Sequence, residues 1–175
     1  MSREFESYNV GRNLYLSKFC VESCLENSPV MTYFDEISES LTNLGIHIES
    51  LDLKDAEKID EFLFDRLSEK EVALLSLGVA VGMIQSVLQS IGPEDDSIPQ
   101  STQNKMIGTI DLALHRIRIV LAELGILEIG HALVEHVQPL LSDFKKLKGS
   151  KGAALSEIQA FEGRFKMHFE SVPRP

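Results

Sequence analysis

Three side chains in the second half of the chain have the types and the spacing that metal chemistry uses. Glu128, His131 and Glu135 are separated by three and four residues, so a continuous helix would place them on one face. His115 lies on the preceding predicted helix, four residues after Asp111. Carboxylate and imidazole groups at such spacings can share a transition-metal ion. The sequence therefore predicts a candidate metal site at Glu128, His131, Glu135 and His115.

The Glu128-x-x-His131 pair resembles the Glu-x-x-His motif of ferritin-like di-iron helical bundles. The resemblance implies a metal held between facing helices. The family pattern also needs a second Glu-x-x-His and two further glutamates, and this sequence contains no second Glu-x-x-His. In the competing interpretation, Glu128 is an acid in the first turn of a helix, and His131 and Glu135 form a surface pair.

Motifs for other enzyme chemistry are absent from the sequence. No serine stands in a Gly-x-Ser-x-Gly context, and there is no His-Glu-x-x-His. Gly78 and Gly82 lack the Gly-Lys-Ser/Thr ending of a phosphate-binding loop. The sequence therefore favours a non-enzymatic protein over an enzyme.

The net charge of −10 is concentrated in the first part of the chain. Residues 1–97 carry 7 Lys and Arg against 19 Asp and Glu, whereas residues 98–175 carry 10 against 8. Because phosphate binding depends on clustered lysine and arginine, we expect no nucleic-acid partner. An acidic surface favours a basic protein partner, although the same charge also serves solubility. The candidate partner-binding residues are Asp52, Asp55, Glu57, Asp60, Glu61 and Asp65.

Length and composition bound the class of protein. A chain of 175 residues with 43% apolar and 25% charged residues is typical of one folded globular domain. Its two cysteines, Cys20 and Cys24, are too few for a disulfide framework, which favours a reducing compartment. The first thirty residues have mixed charge and no apolar leader segment. We therefore expect a cytoplasmic protein without a cofactor, a bound transition metal being the alternative.

A charge-free run from Val72 to Gly92 predicts the central helix of the fold. Ser68 and Glu71 form a capping-box pattern just before the run, which places the helix at about residues 69–92. Small residues repeat at every fourth position, the spacing of a helix-packing ridge, at Gly78, Gly82, Ser86 and Ser90. Because glycine has no Cβ, another helix can approach closely at the two glycines, and we expect this helix to be buried.

The same run is long enough to cross a membrane, and Gly78-x-x-x-Gly82 is a pattern of membrane helix dimers. Four polar residues in its second half and the acidic residues that follow it argue against a span. Membrane helices are usually flanked by basic and aromatic anchors, which are missing here. We therefore expect a core helix and no membrane partner.

Apolar spacing predicts further helices after the central one. Steps of three and four, typical of a bundle seam, occur at Ile107, Ile110, Leu114, Ile117, Leu121 and Leu124. Residues 127–147 continue with an apolar face that Pro139 must kink or restart. A last helix at about residues 155–170 carries three phenylalanines, which we interpret as a lid on the core, a docking surface being the alternative.

Apolar spacing also predicts helices at about residues 13–25, 32–44 and 54–67. Together these segments predict an all-α, single-domain bundle of six or seven helices. We expect a polar N-terminal arm at residues 1–11, one helical domain at residues 12–170 and a flexible tail at residues 171–175. The predicted function is that of a non-enzymatic interaction or regulatory protein that binds a basic partner or self-associates. The alternative is a helical-bundle protein, enzyme or not, that binds a metal or small ligand through His131 and Glu135.

Overall fold

The computed structural model describes the backbone of residues 2–22, 30–46, 61, 63–91 and 98–171. Within these ranges there are seven α helices, two 3₁₀ helices and no strand, which confirms the predicted all-α class. The α helices are α1 (Arg3–Glu22), α2 (Val30–Asn43), α3 (Glu69–Ser90), α4 (Gln100–Glu123), α5 (His131–Val137), α6 (Phe144–Gly149) and α7 (Lys151–Ser171). The 3₁₀ helices are Leu127–Gly130 and Gln138–Ser142.

The chain divides into two compact units, Met1–Gly82 and Met83–Val172, with the boundary inside α3. The predicted single domain at residues 12–170 therefore stays a prediction. The predicted tail lies outside the described residues, except for the backbone of Ser171, where α7 ends. The side chains of Cys20 and Cys24 also lie outside them.

The N-terminal unit has a core shared by α1 and α2, which pack against each other. Its buried residues are Val10, Leu14, Ile37, Leu41, Leu44, Ile46, Leu63 and Leu67. α2 is followed by Gly45 with a φ of 76°, and the Ile46 N–H donates to the Leu41 carbonyl at 2.9 Å. Glycine adopts this left-handed conformation without steric cost, which explains why α2 ends here.

The prediction of a polar arm at residues 1–11 is wrong. α1 begins at Arg3, and the Phe5 N–H donates to Ser2 Oγ at 3.2 Å at its start. Tyr8 and Val10 are fully buried. The apolar pattern predicts a helix only from about residue 13, and it misses the first half of α1 because that half buries polar side chains as well and so has no clean apolar stripe. The buried polar residues of α1 are Glu6, Ser7, Asn13 and Ser17.

The predicted capping box at the start of α3 is confirmed. The Glu71 N–H donates to Ser68 Oγ and the Ser68 N–H donates to Glu71 Oε1, both at 3.2 Å. Arg3 joins this cap, because its Nε donates to Glu71 Oε2 at 3.1 Å and its Nη1 donates to the Leu44 carbonyl at 2.9 Å. One guanidinium therefore connects the start of α1, the end of α2 and the start of α3.

Replacing Arg3 with alanine is expected to lower the free energy of unfolding by about 1–2 kcal/mol. Hydrogen bonds to charged groups contribute roughly 1.5–3 kcal/mol, but the Arg3 side chain is 49% exposed, so solvent reduces its contribution. Arg3→Lys keeps the charge without the planar, multi-donor geometry and should lose an intermediate amount. Chemical denaturation measures both variants, and an unchanged midpoint for Arg3→Ala would show that this network contributes nothing.

α1 and α3 cross at backbone contact. A Cβ at Gly78 would overlap the carbonyl oxygen of Tyr8, and a Cβ at Gly11 would overlap the carbonyl oxygen of Leu75. At Gly82 the atom nearest to such a Cβ is a backbone carbonyl oxygen of α1, at 3.0 Å. The close approach predicted at Gly78 and Gly82 is confirmed, and the approaching helix is α1.

Among the described helices, α3 is the one long and apolar enough to cross a membrane. In the folded protein, 67% of its most apolar 18-residue stretch is buried. The core helix of a folded protein passes the same test of length and composition. The expectation that this helix is buried is confirmed.

The C-terminal unit is built on α4, whose predicted apolar seam is buried. The fully buried seam residues are Ile110, Leu114, Ile117 and Leu121. After α4, Gly125 has a φ of 72°, and the Ile126 N–H donates to the Leu121 carbonyl at 2.9 Å. This turn directs the chain back along the second half of α4.

Residues 127–147 form four short segments rather than one kinked helix. Pro139 stands at the beginning of the second 3₁₀ helix, where its missing N–H costs least. Asp143 is extended, with a φ of −154°, and its carboxylate accepts a hydrogen bond from the Lys145 N–H at 2.9 Å. The side-chain cap of Asp143 therefore restarts the chain as α6.

α7 begins at Lys151, before the predicted start at about residue 155. Phe161 and Phe165 on its apolar face are fully buried, whereas Phe169 is partly buried. The interpretation of the phenylalanine row as a lid on the core is therefore confirmed for the first two of its three residues. Arg164 adds a polar contact, because its Nε donates to the Ile129 carbonyl at 3.3 Å. α7 thus packs against the first 3₁₀ helix as well as against α5.

Candidate binding groove

An open cavity of about 510 Å³ lies between the second half of α4 and the segment formed by the first 3₁₀ helix and α5. This cavity is named the α4–α5 groove below. Its lining residues are His115, Arg118, Ile119, Leu121, Ala122, Leu127, Gly130, His131, Val134 and Glu135. All of them belong to the C-terminal unit.

Two glycines shape the groove. Gly125 turns the chain with its positive φ, so that the first 3₁₀ helix runs back beside α4. Gly130 then lets the wall come close, because a Cβ there would overlap Leu121 Cδ1. The same Cβ would lie 3.8 Å from the ring of Phe161. The floor of the groove is therefore packed directly on the core of the C-terminal unit.

Large apolar side chains stand exposed along the groove. Ile119 on α4 is 44% exposed and Leu127 on the opposite wall is 49% exposed. Ala122 and Val134 add further apolar surface. A single exposed leucine is ordinary, but a contiguous exposed apolar surface marks an interaction or ligand site.

The polar groups of the groove stand mainly at its rim. His131 Nε2 lies 2.9 Å from Glu135 Oε1, and these side chains are 70% and 67% exposed. Arg118 Nη2 donates to Gln138 Oε1 at 2.6 Å. His115 reaches the groove from α4. These charged and polar groups therefore stand at the edge of an apolar surface.

The structure brings together three of the four predicted metal-site residues. His115, His131 and Glu135 line the groove, whereas Glu128 is exposed on the first 3₁₀ helix and does not. Within the described ranges, no group of three or more His, Cys, Asp or Glu side chains is placed to hold a metal ion. The geometry therefore matches the alternative of an ordinary surface pair between His131 and Glu135, and the metal site stays a prediction.

The predicted acidic patch is largely beyond the described part of the chain. Asp52, Asp55, Glu57 and Asp60 lie outside the described residues. Glu61 and Asp65 are described and both are exposed. The binding of a basic partner at this patch stays a prediction.

Sequence reasoning missed the apolar half of the groove. The signal is a second set of steps of three and four along α4, on the side opposite the buried seam: Leu112, His115, Ile119 and Ala122. The last three of these line the groove, and Leu112 lies one turn beyond it. All four are exposed. This exposed set is harder to recognise than the buried seam of α4, because polar residues separate its members and one of them is a histidine.

Comparisons with models of protein families, with curated proteins and with solved structures find no match to this chain. The case for a function therefore depends on the groove itself.

Proposed function

We propose that the protein acts by protein–protein association and that the α4–α5 groove is its docking site for a helix of another polypeptide. The observation that carries the proposal is the exposed apolar surface of Ile119 and Leu127, 44% and 49% exposed on opposite walls of one cavity. Covering such surface with a partner gains about 25 cal/mol per Å² of apolar area removed from water.

A helix is the partner element that this shape favours. The groove runs between α4 and a second helical segment, and helices pack side by side with their side-chain ridges in such grooves. Leu112, His115, Ile119 and Ala122 repeat at steps of three and four, which is the spacing that one helix presents to another. Recognition of an amphipathic helix by an apolar groove is a common mode of protein interaction.

The polar groups support binding rather than catalysis. The side chains of His131 and Glu135 are about two thirds exposed, so bulk water competes with any reacting group that they would contact. Catalytic electrostatics depend on a site from which water is excluded. In the proposed complex, these side chains and Arg118 form a polar rim around an apolar centre, as in protein interfaces generally.

A photo-crosslinking amino acid at position 127 tests the proposal in lysate from the source organism. We expect one discrete adduct with another polypeptide at position 127 and none at position 167, since Met167 is 71% exposed but lies on α7 away from the groove. The crosslinked polypeptide, once identified and purified, should bind the wild-type protein directly. Equal crosslinking at the two positions would overturn the proposal.

Ile119→Asp is expected to weaken that purified complex by at least about tenfold, because it places a charge in an interface centre from which water is excluded. Met167→Asp adds the same charge outside the groove and should leave the affinity unchanged. Isothermal titration calorimetry measures both, and circular dichroism checks that each variant is folded. Equal affinity of Ile119→Asp and wild type would place the partner elsewhere.

A small apolar ligand is a second candidate occupant, because the cavity of about 510 Å³ is within the size range of small-molecule pockets. His131 and Glu135 would contact such a ligand at the rim. Native mass spectrometry of the purified protein tests this function and the predicted metal together. A bound mass that is lost in Ile119→Asp would favour the ligand, and a metal mass that is lost in His131→Ala would favour the metal.

A further inference from the structure

We propose that the helix received by the α4–α5 groove is α4 of a second copy of this chain, in antiparallel orientation about a two-fold axis. This inference rests on the proposed function and names the partner. A two-fold interface uses the same surface on both copies, so α4 must carry a self-complementary face. That face consists of Leu112, His115, Ile119 and Ala122, and it extends one turn towards the N-terminus of α4, to Gly108.

Gly108 is the first observation that points to a helix as the neighbour. It stands inside α4, where glycine costs about 1 kcal/mol relative to alanine. It is exposed, and a Cβ built on it would meet nothing within 4 Å. Nothing in the described part of the chain uses the absence of its side chain. A second helix against this face would use it, because the missing Cβ leaves room for a large side chain of the partner.

Size complementarity defines the register of the pair. With Leu112 of one copy beside His115 of the other, Ile119 of each copy lies against Gly108 of the other. The large exposed isoleucine then fills the space left by the glycine, once in each half of the interface. A parallel pair would place Gly108 against Gly108, which leaves a gap between the helices. It would also place His115 against His115, so that two identical imidazole groups face each other.

Charge complementarity selects the same register independently. Asp111 and Arg118 flank this face on the side of the groove, seven residues apart. In the proposed register, Asp111 of one copy lies beside Arg118 of the other, and the two-fold axis makes this pair twice. A shift by seven residues in either direction would place Arg118 against Arg118 or Asp111 against Asp111. Flanking charges of this kind set partner choice and orientation in helix pairs.

Both charges are available for such pairs. Within the described ranges, neither Asp111 nor Arg118 forms an ion pair, and the one side-chain partner of Arg118 is the neutral amide of Gln138. Both residues are exposed on α4. The reciprocal pairs would therefore add contacts without breaking an existing salt bridge.

Sedimentation equilibrium with charge-reversal variants tests the inference. We expect the wild-type chain to form a dimer, and Asp111→Arg and Arg118→Asp each to raise its dissociation constant about tenfold or more through like-charge contacts. An equimolar mixture of the two single variants should recover dimers, because each heterodimer contains two opposite-charge pairs. A parallel pair of α4 helices predicts no such recovery in the mixture.

Glu123→Arg is the matched control, since it makes the same charge change on α4 outside the proposed pairs. It should leave the dissociation constant within about twofold of the wild-type value. In a parallel pair, by contrast, the new arginine would lie beside Arg118 of the other copy and weaken the dimer. A monomeric wild-type chain, or a dimer whose variants fail to recover on mixing, would overturn the inference. Those results would not affect the outcome of the crosslinking test at position 127. Failure of the second copy as the partner can therefore be distinguished from failure of the groove as a docking site.

Discussion

Replacing Gly78 with alanine is expected to lower the free energy of unfolding by about 3 kcal/mol or more, at or above the usual cost of overpacking. The added Cβ would overlap the Tyr8 carbonyl oxygen and lie 2.8 Å from the Arg12 nitrogen. Both are backbone atoms, so no change of rotamer relieves the clash and the two helices must separate. Helix propensity alone favours alanine by roughly 1 kcal/mol, so packing and propensity predict opposite signs.

Two other glycines make the measurement decisive. Gly163 also lies inside a helix, α7, but a Cβ there would meet nothing within 4 Å. Gly163→Ala should therefore stabilise the protein by up to about 1 kcal/mol through propensity. Gly82→Ala should fall between them, since its nearest contact would be at 3.0 Å. Chemical denaturation gives the order, and a Gly78→Ala variant as stable as Gly163→Ala would contradict the backbone crossing.

Replacing Phe161 with alanine is expected to destabilise the protein by about 3–5 kcal/mol, the range for removing a buried aromatic side chain. Phe161 is fully buried, its ring centroid lies 6.0 Å from that of Phe165, and it packs beneath Gly130 at the floor of the groove. The cavity left by the ring would thus remove support from the groove as well as from the core. Thermal and chemical unfolding measure the loss.

Met167→Ala is the matched control for this variant. It truncates another large apolar side chain of α7, but one that is 71% exposed, and surface substitutions usually change stability by less than about 0.5 kcal/mol. Equal unfolding free energies for the two variants would contradict the role of the phenylalanine row as a lid.

Much of the fold could be predicted because several sequence signals are local. The capping box of Ser68 and Glu71 fixes the start of α3 through hydrogen bonds within one turn. Gly45 and Gly125 follow α2 and α4 because their positive φ values suit glycine. The seam of α4 is visible because its apolar residues keep one period over the whole helix.

The rest depends on contacts between residues far apart in the chain. The first half of α1 lacks apolar periodicity, and its close packing on α3 at Gly11 and Gly78 makes it part of the core. The candidate site shows the same limit. Spacing alone places His131 beside Glu135, but it does not show that Ile119 and Leu127 stand exposed across from them, since that depends on how the chain turns at Gly125.

The crossing of α1 and α3 also affects the protein during its synthesis. Arg3 and Glu71 are 68 residues apart, and at roughly 5–20 residues per second the ribosome needs about 3–14 seconds to make the intervening chain. Until then α1 can pack on α2 but not on α3, and most of the stability of a helix in a protein comes from such packing. A nascent chain stalled before α3 should therefore be cleaved by proteases within α1, whereas one stalled after α3 has left the ribosome should be protected there.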